Sequence, residues 1–452
     1  MKIIIVGCGR VGKTLAEKLN AEGHDVTVVD TLASEVEAVS SRCDIMGLVG
    51  NGAMHTIQRE AGVETADLLI AVTNSDELNL LCCIVAKRVG NCQTIARVKN
   101  PEYSQESPYL KEELGLAMVI NPEYEAAKEI SRVLRFPTAI KIEPFAKGKI
   151  ELIKFKITSD CKLVGMSVRE MSGKYPGDVL VATIERGEEA YIARGDSVFE
   201  EKDIVSIIGT PKSANDFFKK IEYKGNSIKT ALVVGGGEIT HYLCGILDKS
   251  GISLKIIEKD RKICEDLCIR WGKADIICGD AADKELLLEE GIAGMGAFVA
   301  LSNVDEENIL LSLYAQEFKN GKLVTKINRT DYDNVINRLE LDTVICPINI
   351  ASDNILRFVR ATSNAMGSSN VETLYNIIPD EVEAAEFIIK ENSPIAGKPL
   401  SELKFKKDVL IASISRKGEV IVPRGHSVIE VGDAVVVVSK QLGLEDVAEI
   451  LK

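Results

Sequence analysis

Tryptophan occurs once, at position 271, and aromatic residues make up 5% of the 452-residue chain. Few flat side chains are available for unpaired bases to stack on, which argues against single-stranded nucleic-acid recognition. Positive charge is also short: 55 Lys and Arg against 68 Asp and Glu leave a formal net charge of −13. Nucleic acid and anionic lipid both require a basic face, so neither is an expected partner. No apolar run approaches the roughly 18–20 residues of a membrane-spanning helix. The opening MKIIIVGCGRVGK reads as a buried strand, and no signal peptide is expected.

Histidine is scarce, with only His24, His55, His241 and His426. His24 and His426 read as surface turn residues; His55 and His241 begin or line helices, and neither has an acidic partner identifiable by motif. A nucleophile elbow, a zinc signature and a Walker lysine are all missing, so catalysis is not expected. The eleven cysteines are dispersed and odd in number, which suits reduced thiols in a cytoplasm. Cys264 and Cys268, four apart on a predicted helix, are two metal ligands at most, because no second pair completes a site. They read as core residues.

What the sequence has is repetition. A chain of this length splits into several domains, and here the second half repeats the first. Gly7 and Gly235 stand 228 residues apart, as do Asp30 and Glu258, each of which closes an apolar run (VTVVD, LKIIE). Gly50-Asn51 corresponds to Gly279-Asp280, LLIAVTNSDELNL to AFVALSNVDEENI, and Arg97 to Lys326. The match continues in GDVLVATIERG and KDVLIASISRKG, then in ARGDSVFEEKDIVSIIG and PRGHSVIEVGDAVVVVS.

The repeat unit therefore holds a larger and a smaller piece. In the larger one, short apolar runs alternate with helical patterns such as VGKTLAEKLNAEG, which predicts βαβ crossovers and a doubly wound parallel sheet. The smaller one shows strand-turn-strand signals at Arg186-Gly187 and Lys417-Gly418, with a short helix on either side. The expected class is α/β: two Rossmann-like parallel-sheet domains, each followed by a small α+β module. Expected limits are 1–136, 137–223, 228–362 and 372–452, with boundaries at Pro137, Pro144 and Gly148, at KGNSI (224–228), and at TSNAMGSSN (362–370).

The first copy completes G-x-G-x-x-G with Gly7, Gly9 and Gly12, after a strand and at the start of a helix. Glycine there permits the tight turn, lets a pyrophosphate approach the backbone, and packs the helix onto its strand. Asp30 closes the next strand, where a carboxylate accepts from ribose hydroxyls and repels a 2′-phosphate, which favours NAD(H) over NADP. Arg10 in the turn suits phosphates, including those of ATP or ADP. Cys8 reads as a small packing residue. Asn51, Thr73, Asn74 and Arg97 fall at the carboxyl ends of strands, where open α/β sheets bind ligands. In the second copy Gly235, Gly237, Glu258 and Asp280 follow the plan. Thr240 replaces the last glycine and Glu238 replaces Arg10, so weaker or different binding is expected there.

With these motifs in hand, the chain resembles the TrkA family of tandem RCK (regulator of potassium conductance) proteins over essentially its whole length. GCGRVG with Asp30, the VTNSDELN and LSNVDEEN segments, and the two R-G-x-S-V modules carry the likeness. The resemblance implies a cytoplasmic, non-enzymatic regulatory subunit, peripheral on the inner face of the membrane through a Trk-type potassium transporter. It also implies assembly into a ring, commonly tetrameric, and adenine-nucleotide effectors. Carried over by position, the first-copy site is Gly7, Cys8, Gly9, Arg10, Val11, Asp30, Asn51, Thr73, Asn74 and Arg97.

Overall fold

Each apolar run ending in a glycine turn or an acidic residue becomes a strand. The computed structural model describes residues 1–452 except 138, 146–148, 188, 224–227, 249, 319–320, 330–335, 337–338, 340, 367–370, 379–380, 417–418, 442 and 445. The first sheet comprises β1 (Lys2–Val6), β2 (Asp25–Asp30), β3 (Met46–Val49), β4 (Leu68–Ala71), β5 (Gln93–Arg97) and β6 (Met118–Ile120). Its strands are all parallel, in the order β3-β2-β1-β4-β5-β6. The order reverses between β1 and β4, and ligands of such sheets bind in the crevice at that switch point. Ile3–Val6 and all of β4 are buried, because helices cover both faces.

A five-stranded antiparallel sheet follows: β7 (Ala139–Phe145), β8 (Ile150–Lys156), β9 (Val179–Arg186), β10 (Glu189–Ile192) and β11 (Ile204–Gly209), in the order β10-β9-β11-β8-β7. The second half repeats both designs. Strands β12 (Thr230–Val234), β13 (Ser253–Glu258), β14 (Asp275–Cys278), β15 (Ala297–Ala300), β16 (Lys322–Lys326) and β17 (Thr343–Ile345) pair in parallel as β14-β13-β12-β15-β16-β17. The last sheet holds β18 (Val371–Ile378), β19 (Val382–Ile388), β20 (Val409–Arg416), β21 (Glu419–Ile421) and β22 (Ala434–Ser439), in the order β18-β19-β22-β20-β21. The expected fold class holds for all four sheets.

The chain groups into two units, one of residues 1–135 with 227–356 and one of residues 136–226 with 357–452. In the first, the helix Pro122–Arg135 leaves its own sheet and covers the other copy. Ala126, Ala127, Ile130 and Leu134, spaced for one helical face, pack with Ile239, Leu243 and Leu247 of the helix Glu238–Leu247. Tyr242 from that helix donates to Lys99 O at 2.9 Å and meets Asn121 Nδ2 at 2.9 Å. On the pseudo-symmetric side, Lys18 of the helix Arg10–Ala21 pairs with Asp353 of the helix Pro347–Met366 at 2.8 Å. The two parallel sheets are thus tied into one body.

In the second unit the two small sheets share a core in which Phe145, Ile150 and Ala182 meet Ile377, Val382 and Ala412. The repeated module motifs have a structural role here. Arg186 makes a two-pronged pair with Asp203 (Nε–Oδ1 and Nη2–Oδ2, both 2.8 Å), and Arg416 does the same with Asp433 (2.9 and 2.8 Å). Both carboxylates are buried, and a planar guanidinium matches a carboxylate in this way. Ser197 and Ser427 each accept the N–H of the arginine three residues earlier at 3.0 Å, closing the R-G-x-S turn.

Three boundary readings are refined or fall outside the description. Gly148, residues 224–227 and residues 367–370 lie outside the described residues, as does the Lys417-Gly418 turn. Residues 362–366, read as linker, continue the helix Pro347–Met366. His24, read as a surface residue, has a side chain only 11% exposed and stands with Nδ1 3.4 Å from the amino terminus. His426 is exposed, as expected.

Candidate functional site

Gly7 ends β1 with φ +104°, a conformation glycine adopts readily, and its N–H donates to Val29 O at 2.8 Å. A Cβ on Gly7 would stand 2.9 Å from Thr73 N, so the turn and the end of β4 fit only without a side chain. A Cβ on Gly12 would stand 1.8 Å from Gly7 O. Gly9 begins the helix Arg10–Ala21 with no side-chain cap, and a Cβ added to it would meet nothing within 4 Å. The helix therefore offers unsatisfied N–H groups at its positive end, facing open space, which is the arrangement that holds phosphates.

The acidic residue at the end of β2 is bonded to the turn. Asp30 Oδ2 accepts the Cys8 N–H at 2.7 Å, and Oδ1 accepts the Leu32 N–H at 3.0 Å. The second copy is built alike: Glu258 Oε2 accepts from Gly236 N at 2.6 Å and Oε1 from Asp260 N at 2.8 Å. Gly235 has φ +100°, and Gly237 starts an uncapped helix. Thr240 is accommodated rather than disruptive. It is fully buried and donates its hydroxyl to Gly235 O at 2.6 Å, so its side chain is held within the turn.

Both turns face one cavity of about 1360 Å³ within the unit of the two parallel sheets. It brings together Gly7, Gly9, Arg10, Val11, Asp30, Asn51, Thr73, Asn74 and Arg97 from the first copy with Gly235, Gly237, Glu258 and Asp280 from the second. Two expected residues do not line it. Cys8 is 1% exposed, and burial, with Asp30 and Glu35 nearby, pushes its thiol up to about 12. Its backbone N–H, not its sulfur, serves the turn. Gly12 lies beneath the turn as a packing position.

Several residues at the site were not singled out from sequence. Asn79 is fully buried; its Oδ1 accepts from Thr73 N (2.8 Å) and Thr73 Oγ1 (2.7 Å), and its Nδ2 donates to Arg97 O (3.0 Å). Asp76, one helical turn earlier, takes the N–H groups of Lys99 and Asn100 at 3.0 and 2.8 Å. Asn308 and Asp305 make the same bonds around Ser302, Lys326 and Asn328. These pairs lock the ends of β4 and β5, and of β15 and β16, in place. Their recurrence in SDELN and VDEEN was the available signal. Glu123, at the start of the crossover helix, pairs with Arg97 Nη2 at 3.1 Å. Arg97 Nε and Glu123 Oε2 are buried and have no hydrogen-bond partner among the described residues.

The cavity is electrically uneven. The first half presents Arg10, Lys13, Arg97 and Lys99 against Asp30, Glu35 and Glu123. The second presents Glu238, Glu258, Asp260, Asp280 and Glu307 against Lys259 and Lys326. Crowding by the cavity walls, and then the Glu123 charge, raises the Glu238 carboxyl above its ordinary value. Burial lowers the Lys326 ammonium, which donates to Leu301 O and Asn303 Oδ1 at 3.3 and 3.2 Å. Glu238 at a helix start opposes any phosphate on that turn. Protonation removes this repulsion, and because the carboxyl is raised it protonates at higher pH than a free glutamate. Nucleotide affinity of the second half should therefore rise as pH falls, with Lys99 and Arg97 opposing the protonation and Asp76 assisting it. Glu238→Arg should raise it at neutral pH and flatten that dependence, as read by calorimetric titration.

The two uncapped glycine turns on parallel sheets, each trailed by an antiparallel module, define a tandem Rossmann-like protein. The TrkA-N domain model matches residues 3–122 and 231–347, and the TrkA-C domain model matches residues 152–222 and 384–452. A Trk system potassium uptake protein TrkA homolog of Archaeoglobus fulgidus is 33% identical over 453 residues, covering 100% of both chains. Among solved structures, the GsuK RCK domain superposes with TM-score 0.63 at 16% identity, over 97% of this chain and 92% of that one. A GsuK channel bound to NAD gives 0.64 at 16%, over 97% and 77%. At these identities the structural likeness speaks for the fold. The chain belongs to the TrkA family of Trk-system potassium uptake proteins.

Proposed function

We propose that the chain is a nucleotide-responsive regulatory subunit of a Trk-type potassium transporter, acting from the cytoplasmic face without catalysing a reaction. The observation that carries this reading is the single cavity onto which two unequal glycine turns open, joined by helices exchanged between the copies. In the first half the fit to NAD(H) is good. The open helix start at Gly9 and the Arg10 guanidinium take the pyrophosphate, Asp30 takes the ribose hydroxyls, and Arg97 adds positive charge to the cavity wall. ATP or ADP would use the same turn. The second half, with Glu238 at its turn, holds a nucleotide weakly or not at all. A GsuK channel of similar fold is bound to NAD, which supports this reading.

A nucleotide that prefers one arrangement of the paired sheets shifts their balance, and about 1–3 kcal/mol of coupling is typical of such regulation. The domain limits 1–136, 137–223, 228–362 and 372–452, assembly into a tetrameric ring, and peripheral attachment through the transporter belong to the same proposal. Deleting the gene in its host should abolish nucleotide-dependent potassium uptake, and the Trk membrane subunit should co-purify with the tagged chain. Unchanged uptake would remove the proposed function.

A further inference from the structure

One cysteine pair lies outside everything described so far. Cys264, in the helix Arg261–Arg270, is buried, and its thiol donates to Glu258 O at 3.2 Å. Cys278 ends β14, where it stands in register with Glu258, and it is exposed. Cys264 Sγ thus reaches the carbonyl of the residue paired with Cys278, and the two cysteines adjoin at the paired ends of β13 and β14. The Glu258 carbonyl also accepts the Gly279 N–H at 2.9 Å. One carbonyl thus joins the thiol pair to Gly279 and Asp280, which line the second half of the cavity. The first copy keeps the equivalent bond, Gly50 N to Asp30 O at 2.8 Å, but has Val36 and Val49 at the two cysteine positions. The pair is therefore a property of the second copy alone.

We propose that Cys264 and Cys278 are a reversible thiol–disulfide site, oxidised by peroxide, that alters the second nucleotide half and leaves the first untouched. Its consequence for ligands rests on the proposed function; the thiol chemistry does not. The exposed Cys278 thiolate attacks one peroxide oxygen, the O–O bond breaks, and the departing hydroxide takes up a proton to leave as water. Cys278 is then a sulfenic acid. Cys264 gives up its proton as its sulfur attacks the Cys278 sulfur. The S–O bond breaks, a second water leaves, and two electrons have passed from the thiol pair to the peroxide. A dithiol reductant reverses the bond by exchange. Burial pushes the Cys264 thiol up to about 12, which suits it to the second step, beside a partner already activated, and not to the first. Oxidation removes the S–H donor from Glu258 O and draws the end of β14 toward the helix, moving Gly279 and Asp280 together with the carboxylate that stands for Asp30.

The chain carries its own reporter. Trp271, the only tryptophan, follows directly on the helix that bears Cys264 and donates from Nε1 to His241 Nδ1 at 3.1 Å. The full chain is treated with one equivalent of hydrogen peroxide, free thiols are blocked, and peptides are mapped. The expected result is a linked Cys264–Cys278 peptide, with a change in Trp271 emission that dithiothreitol reverses. Both should be absent in Cys264→Val/Cys278→Val, which installs the residues of the first copy. A Cys268–Cys278 link, or oxidation confined to single sulfurs, overturns the proposal. If the link forms and no nucleotide binds under any condition, the thiol site stands and the proposed function falls.

Discussion

Asp30→Ala should weaken NAD binding to the first half by about 10- to 100-fold, as measured by calorimetry on the full chain. The carboxylate has two tasks there. In the proposed function it offers acceptors to ribose hydroxyls from the wall of the cavity, and in the structure it holds the glycine turn to the end of β2 through the Cys8 and Leu32 N–H groups. A hydrogen bond to a charged group contributes about 1.5–3 kcal/mol, so losing the ribose contacts and loosening the turn together support that range. Glu258→Ala removes the corresponding bonds to Gly236 and Asp260. With the second half holding nucleotide weakly, as proposed, that variant should leave the titration of the first nearly unchanged.

Gly12→Ala should be the more damaging change to the fold, costing about 1–3 kcal/mol by overpacking and removing first-half binding along with it. A methyl group at residue 12 would sit 1.8 Å from Gly7 O, and that oxygen belongs to backbone that cannot rotate away. Relief requires the helix Arg10–Ala21 to lift from β1, which moves the open N–H groups away from the phosphate position. In the second copy Thr240 occupies the position of Gly12, with its hydroxyl bonded to Gly235 O. Gly12→Thr should therefore be milder than Gly12→Ala, because the hydroxyl can repeat that bond. Thermal denaturation of the two variants beside the wild type orders them.

The parallel sheets were legible because buried parallel strands read as short apolar runs, and because the same runs recur 228–229 residues later. The glycine turns and their acidic partners were legible for the same reason. Local pattern could not show that the helix Pro122–Arg135 leaves its own sheet. Its apolar face at Ala126, Ala127, Ile130 and Leu134 says that something covers it, not which copy does. The shared cavity and the role of Glu123 follow from that exchange and were missed with it. Thr240 was read as a departure from the glycine plan; its buried hydroxyl bond makes it a variant of the turn. Cys278 and Cys264 escaped notice as a pair because strand register, not sequence spacing, brings them together.

In the proposed function, one chain carries two unequal nucleotide sites, strong at Gly7–Asp30 and weak at Gly235–Glu258. Calorimetric titration of NAD into the wild-type chain, beside Asp30→Ala and Glu258→Ala, tests it most directly. The account predicts one tight site per chain, lost in Asp30→Ala and retained in Glu258→Ala. Normal NAD binding by Asp30→Ala, or loss of the tight site in Glu258→Ala, would contradict it.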